Sequence, residues 1–251
     1  MLDAWRLSVG TLTAVRVGHP STVDRRTAGL AMLLAPLAVV PLGVLVGLVC
    51  WVGRELELAP WAVAAVAVGA LAMGSRALHL DGLSDVADAL TVSYDPRRSL
   101  DVMKGGMSGP AGSAALVLVL GVQVAALAAV LSSPRGPVVA AVLVCLSRAI
   151  LVVTCSRGVP AARSDGLATS YVGTVAPAAA VLTWLVVGAV SYGVLDWACY
   201  EWWRGPVVAA AALLVGAALT YRCVRRFGGV TGDVFGAAIE LTLAVLLLGA
   251  S

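Results

Sequence analysis

Three aspartates carry the first chemical signal in this chain. Asp81, Asp85 and Asp88 lie in the stretch Arg76-Ala-Leu-His79-Leu-Asp81-Gly-Leu-Ser-Asp85-Val-Ala-Asp88. On a helix turning about 100° per residue they fall near 0°, 40° and −20°, one face about 60° wide. Like charges so close repel one another, and near a bilayer poorer screening raises that cost. A divalent cation on the face relieves it. Oxygen ligands without cysteine favour Mg²⁺ or Mn²⁺, and Mg²⁺ commonly bridges one or two carboxylates to substrate phosphates. The competing reading is a solvated acidic face at a membrane boundary, against which stands the apolar remainder of the helix, Leu83, Val86, Ala87 and Leu90. His79 suits a general base, a residue supporting the carboxylates, or an interfacial histidine.

Three further segments hold groups of the same kind. Segment 95–112 runs from an Asp-Pro helix start into Lys104-Gly-Gly-Met107-Ser-Gly109, a turn whose amides suit a phosphate and whose Lys104 adds charge. Segment 157–174 contains Arg163-Ser-Asp165-Gly166-Leu, in which Arg163 reads either as a phosphate clamp or as a membrane anchor. Segment 222–240 contains Thr231-Gly232-Asp233 and, seven residues further on, Glu240. Asp233 and Glu240 share a helix face, Glu240 about 10 Å deeper. An ionisable residue at that depth faces the bundle interior, and Arg148 is the candidate to neutralise it or a substrate phosphate.

The elements that position these groups follow from composition. Of 251 residues 60% are hydrophobic and only 12% charged, with a mean hydropathy of +0.96 and a net charge of +3. Soluble domains carry about 25% charged residues. The chain therefore reads as an integral membrane protein, and disorder, a collagen-like chain and nucleic-acid binding are excluded. A spanning helix needs about 20 mostly apolar residues. Seven stretches qualify wholly or nearly: 28–50, 60–80, 109–131, 138–156, 175–195, 206–221 and 233–250, the sixth being short. Pro36 and Pro41 predict a kink in the first. No apolar core of signal-peptide type precedes it, so the first span is expected to act as insertion signal.

The N-terminus and segments 81–108, 157–174 and 222–232 together hold twelve Lys and Arg, against three in the alternate segments. That bias places the N-terminus in the cytoplasm. The expectation is an all-α, polytopic membrane bundle of seven helices, one domain over residues 1–251, its chemistry facing the cytoplasm. The five cysteines are scattered and read as small buried hydrophobes.

Acidic positions, cations and glycine turns on one side suit phosphoryl transfer, in which a metal neutralises a diphosphate, arginines hold its oxygens and a base takes the acceptor proton. The residues alone thus reach a membrane-embedded transferase acting on a diphosphate. His79-Leu-Asp81-Gly-Leu-Ser-Asp85-Val-Ala-Asp88 further resembles the H-L-D-G-L-A-D-x-x-D signature of the cobalamin synthase family. Thr13-Ala-Val-Arg16 resembles that family's early T-R-x-P region, Arg163-Ser-Asp-Gly166-Leu its R-x-x-G-L loop, and Thr231-Gly232-Asp233-Val-Phe-Gly236-Ala its late T-G-D-x-x-G-A block.

The resemblance implies a Mg²⁺-dependent enzyme of the bacterial plasma membrane. It would join α-ribazole, or its 5′-phosphate, to adenosylcobinamide-GDP and release GMP. Asp81, Asp85, Asp88 and Asp233 would hold the metal, His79 or Asp85 would act as base, and Arg16, Arg76, Lys104, Arg148, Arg163 and Thr231 would contact substrate. Partners are the two small molecules and lipid, with no nucleic acid, and a homo-oligomer is left open. Two departures stand out: the glycine-rich run around Met107 lacks the family's acid, and Arg16-Val-Gly18 has its proline displaced to Pro20. A CDP-alcohol phosphotransferase is the alternative, but Asp81-Gly-Leu-Ser-Asp85 lacks that family's A-R. A cation-coupled transporter would more naturally show inverted repeats with acids at the midplane.

Overall fold

The structure is a computed structural model that describes residues 1–105 and 108–251. Among the described residues the fold is helical throughout, with only two isolated β-bridges. In chain order the helices are α1 (Leu2–Leu12), α2 (Arg25–Leu33), α3 (Ala35–Ala38), α4 (Val40–Glu55), α5 (Pro60–Gly74), α6 (Leu78–Val92) and α7 (Pro96–Lys104). There follow α8 (Pro110–Val130), α9 (Gly136–Ser147), a 3-10 turn (Arg148–Ile150), α10 (Leu151–Thr154), α11 (Leu167–Tyr171), α12 (Pro177–Trp197), α13 (Arg204–Phe227) and α14 (Gly232–Ala250). Prolines stand in the first turn of α5, α7, α8 and α12, where the missing amide is not needed.

Five helical runs are long and apolar enough to cross a membrane: α8, α9 through α10, α12, α13 and α14. A sixth arises if α5 and α6 count as one bent span. The expected first span over 28–50 is instead divided into α2, α3 and α4, because Pro36 and Pro41 each open a new helix. The sixth expected span, read as short, is the 24-residue α13. Its apolar run continues as a charged helix through Arg222 to Phe227, where Cys223, Arg226 and Phe227 are buried. Hydropathy reports the solvent a segment prefers, not where its helix stops. Gly228, left-handed at φ 78°, supplies the stop.

The second expected span, 60–80, is cut short by a bend of 92° between α5 and α6. Arg76 and Ala77 adopt left-handed backbone, at φ 59° and 55°, which costs a side chain of either kind about 1–2 kcal/mol. Tertiary hydrogen bonds hold the corner: Ala14 N–H donates to the Gly74 carbonyl at 2.6 Å, and the Arg76 guanidinium to the Gly10 carbonyl at 2.8 Å. Beyond the corner, α6 lies against α14 and α8.

Two glycines allow that packing. A Cβ on Gly82 of α6 would lie 2.5 Å from the Asp233 carbonyl oxygen, and one on Gly236 of α14 would lie 2.8 Å from the His79 Cα. The two helices therefore touch backbone to backbone. Helices α14 and α9 are largely enclosed, whereas α8, α12 and α13 turn most of their surface outward. Gly236→Ala is expected to destabilise the bundle by about 1–3 kcal/mol through overpacking. Gly121→Ala in α8, where nothing lies within 4 Å of the added carbon, is expected to be neutral. Thermal unfolding of both variants in one detergent checks the contrast.

Candidate active site

Helix α6 carries Asp81, Asp85 and Asp88 as one face, and the rest of the fold brings the other three segments to it. Asp88 is buried, 4% exposed, at the start of α8. The Gly109 N–H donates to its Oδ2 at 2.6 Å and the Gly112 N–H to its Oδ1 at 2.9 Å. Both carboxylate oxygens thus meet amides at a helix N-terminus, where a negative charge is favoured. A Cβ on Gly112 would come within 2.4 Å of Asp88 Oδ2, so the close approach needs glycine. Ser84 and Ser108, with hydroxyls 2.8 Å apart, make a second tie between α6 and the segment entering α8.

Asp81 and Asp85 stay partly accessible. Asp85 lies within electrostatic reach of Asp81, Asp233 and Asp88, with Arg163 as the opposing cation. Asp233 sits in the first turn of α14, and the Thr231 hydroxyl donates to its Oδ2 at 3.0 Å. The loop before α11 is joined to the start of α14 by two backbone bonds: Ala162 N–H to the Val230 carbonyl and Val230 N–H to the Pro160 carbonyl, each 3.0 Å. Between them lies a cleft of about 130 Å³ lined by Arg163, Asp165, Gly166, Thr231 and Asp233. Arg163 also donates to the Leu100 carbonyl of α7, and Lys104 Nζ stands 3.8 Å from Asp165 Oδ2. All four segments singled out in the sequence therefore meet at one end of the bundle.

Not every expected site residue arrives there. His79 and Asp81 are two residues apart, so they project about 160° from each other around α6. His79 is 5% exposed, with Nδ1 3.7 Å from Glu240 Oε1 inside the bundle. The Glu240 Oε2 accepts from Gln123 Nε2 at 2.8 Å. Arg148 is fully buried, its Nη1 donating to the Val144 carbonyl at 3.1 Å and to the Ser147 hydroxyl at 2.7 Å, with Glu240 as the countercharge. Arg76 anchors the α5–α6 corner. Arg16 is exposed beyond α1. The structure thus sets His79 and Arg148 in a buried polar core with Glu240, behind the carboxylate face. The departure around Met107 lies outside the described residues.

Two contributors went unnoticed in the sequence. Gln123 is the one amide in the apolar helix α8, and a polar residue there is a usable sign of a buried partner. Arg226 donates to the carbonyls of Leu90 (3.1 Å) and Ser93 (2.5 Å) and lies over the Tyr94 ring, closing the C-terminal end of α6. Glu240→Ala would remove the countercharge of Arg148 and leave Gln123 only the backbone carbonyl of residue 240, which already accepts at 3.2 Å, in place of the carboxylate. Loss of a buried charge partner predicts about 3–5 kcal/mol of destabilisation, read as a lowered Tm in detergent, whereas Asp85→Ala leaves Tm within a degree or two of wild type.

The donor set at the carboxylate face is hard oxygen. Among the described residues no three His, Cys, Asp or Glu side chains stand close enough to enclose an ion by themselves. An open set of this kind fits Mg²⁺, which keeps few protein ligands and completes its shell with water and substrate phosphate.

Comparison with known proteins agrees with this convergence. The family model described as cobalamin-5-phosphate synthase matches residues 4–251. An adenosylcobinamide-GDP ribazoletransferase of a Nocardioides species is 54% identical over 99% of this chain and 98% of its own length. Proteins of the same name from Frankia casuarinae and Corynebacterium efficiens are 36% and 32% identical, over 99% and 94% of this chain and 94% and 86% of their own. No solved structure matches. The aspartate face, the loop carrying Arg163 and the Thr231–Asp233 block all lie within the matched residues, and by that match over nearly its whole length the chain belongs to the cobalamin-5-phosphate synthase family.

Proposed function

We propose that this chain joins α-ribazole, or its 5′-phosphate, to adenosylcobinamide-GDP, giving cobalamin or its 5′-phosphate and GMP. The observation that carries the proposal is the meeting of the α6 carboxylates with Asp233, Thr231 and Arg163 at one end of the helix bundle. That end holds the cation-rich segments, and the twelve-to-three distribution of Lys and Arg supports a cytoplasmic site and a cytoplasmic N-terminus in the bacterial plasma membrane. Seven crossings remain compatible with that bias if α4 and α5, of 16 and 15 residues, each cross.

A ribazole hydroxyl attacks the phosphorus attached to cobinamide. The new P–O bond forms as the bond to GMP breaks, and GMP departs with the electron pair. One or two of the carboxylates Asp81, Asp85 and Asp233 would hold Mg²⁺, its shell completed by water and substrate phosphate, and the ion when bound neutralises the diphosphate and the departing phosphate. Arg163 and Lys104 supply positive charge for the remaining phosphate oxygens. Asp85, partly accessible on the aspartate face, takes the hydroxyl proton in this reading, since His79 faces Glu240. Asp88 orders the segment entering α8 through the amides of Gly109 and Gly112.

Full-length protein incubated with ribazole 5′-phosphate, adenosylcobinamide-GDP and Mg²⁺ should release GMP and form cobalamin 5′-phosphate. Bound substrate without product would overturn the proposal. Asp85→Ala should lower GMP release by about 10²–10⁴-fold with membrane insertion unchanged. Chelation should abolish turnover, and added Mg²⁺ should restore it; turnover that survives chelation would remove the metal from the reading.

A further inference from the structure

A second built cavity lies away from the carboxylate face. Its volume is about 760 Å³, and it opens between the start of α2, the start of α12 and the turn after α10. Arg25, Arg26 and Arg157 line it, beside Gly29 and Thr174. No acid is among its described lining residues. The nearest acid in sequence, Asp24, is engaged as the cap of α2, accepting from Thr27 N–H at 2.7 Å. All three arginines are exposed, and Arg25 holds one wall by donating to the Gly173 carbonyl at 2.9 Å.

Below this mouth runs a groove of about 620 Å³ between α3 and α4, α9 and α12, lined by Pro36, Val44, Cys145, Val186 and Val190. Leu33 lines both cavities, so the arginine-lined mouth adjoins the head of the groove. On α12, Ala179 lines the mouth and Val190 the lower end of the groove. The eleven helical steps from one to the other rise about 16 Å, close to one leaflet, half of the roughly 30 Å hydrocarbon core. Arg157 opens the loop that also carries Arg163, so the mouth faces the same side as the carboxylate site.

We infer that this mouth and groove together bind an anionic phospholipid, its headgroup phosphate held by Arg26 and Arg157 and an acyl chain lying along α4, α9 and α12. The charge of the mouth selects an anion, and the length and apolar lining of the groove select a molecule with a hydrocarbon tail. A free phosphate uses only the first property. Anionic lipid of the cytoplasmic leaflet offers both, and each cation near such a headgroup contributes about 1 kcal/mol.

The test uses full-length protein purified in detergent and titrated, by native mass spectrometry, with phosphatidylglycerol, with phosphatidylcholine and with inorganic phosphate. Phosphatidylglycerol should be retained over phosphatidylcholine, and inorganic phosphate should not displace it. The double substitution R26Q/R157Q should weaken phosphatidylglycerol binding about thirtyfold, about fivefold for each charge removed, while R26K/R157K retains most of it. Val186→Trp, which fills the groove and leaves every arginine in place, should also reduce retention, and it serves if the arginine variant does not fold. Equal retention of the two lipids, displacement by inorganic phosphate, or unchanged binding in both the charge and the groove variants would overturn the assignment. None of these readouts depends on the ribazole transfer reaction.

Discussion

The backbone contact between α6 and α14 is the constraint on which the rest of the structure depends. Gly82 meets the Asp233 backbone and Gly236 meets the His79 backbone, with no room for a side chain at either crossing. In a bilayer, lipid tails are as apolar as leucine, so helices associate through close packing and interhelical hydrogen bonds rather than through exclusion of water. The contact therefore helps hold the bundle, and it also sets Asp233 beside the aspartate face of α6. Motif and packing are the same residues: the glycines within Asp81-Gly82 and Gly232-Asp233-Val-Phe-Gly236 bring the two acidic segments within range of each other.

The charges divide into two layers with different physics. Glu240, Arg148, His79 and Gln123 are enclosed together: Gln123 donates to Glu240, His79 stands 3.7 Å from it and Arg148 is its countercharge, as an isolated charge in that environment is costly. Asp81, Asp85 and Asp233 lie partly accessible at the end of the bundle, where their mutual repulsion is unrelieved by an adjacent lysine and only opposed by Arg163. The enclosed layer supports α6 from behind. The accessible layer is left with spare acceptor capacity, which a cation and a diphosphate can use. Asp88 belongs to neither layer alone, since it shares the aspartate face yet satisfies amides at the start of α8.

Much of the site was legible because its parts are local. The i, i+4, i+7 spacing of Asp81, Asp85 and Asp88 needs only helical periodicity, and Thr231-Gly232-Asp233 is a contiguous block. Which of the roles open to His79 it takes is a tertiary matter: two residues along a helix is nearly the opposite face from Asp81, and His79 lies enclosed beside Glu240. Arg148 lay at a plausible depth for a phosphate, but depth along a helix does not say which way the side chain turns. The lone Gln123 in α8 passes unnoticed in the sequence, because its partner on α14 is a tertiary contact.

By itself the sequence determined the solvent, the helical class, the face on which three carboxylates lie and, through its motifs, the family. These follow from composition, period and local spacing, which are properties of neighbouring residues. The tertiary structure decided the division of the first expected span, the corner that turns α6 away from α5, and the sorting of the polar residues into a buried core and an accessible site. Each of these rests on contacts between distant segments. Arg76 and Ala77 hold a strained left-handed backbone with help from distant residues, as Ala14 bonds to Gly74 and Arg76 to Gly10 across the corner. No local preference would place α6 there, and without that turn its carboxylates would not lie beside Asp233.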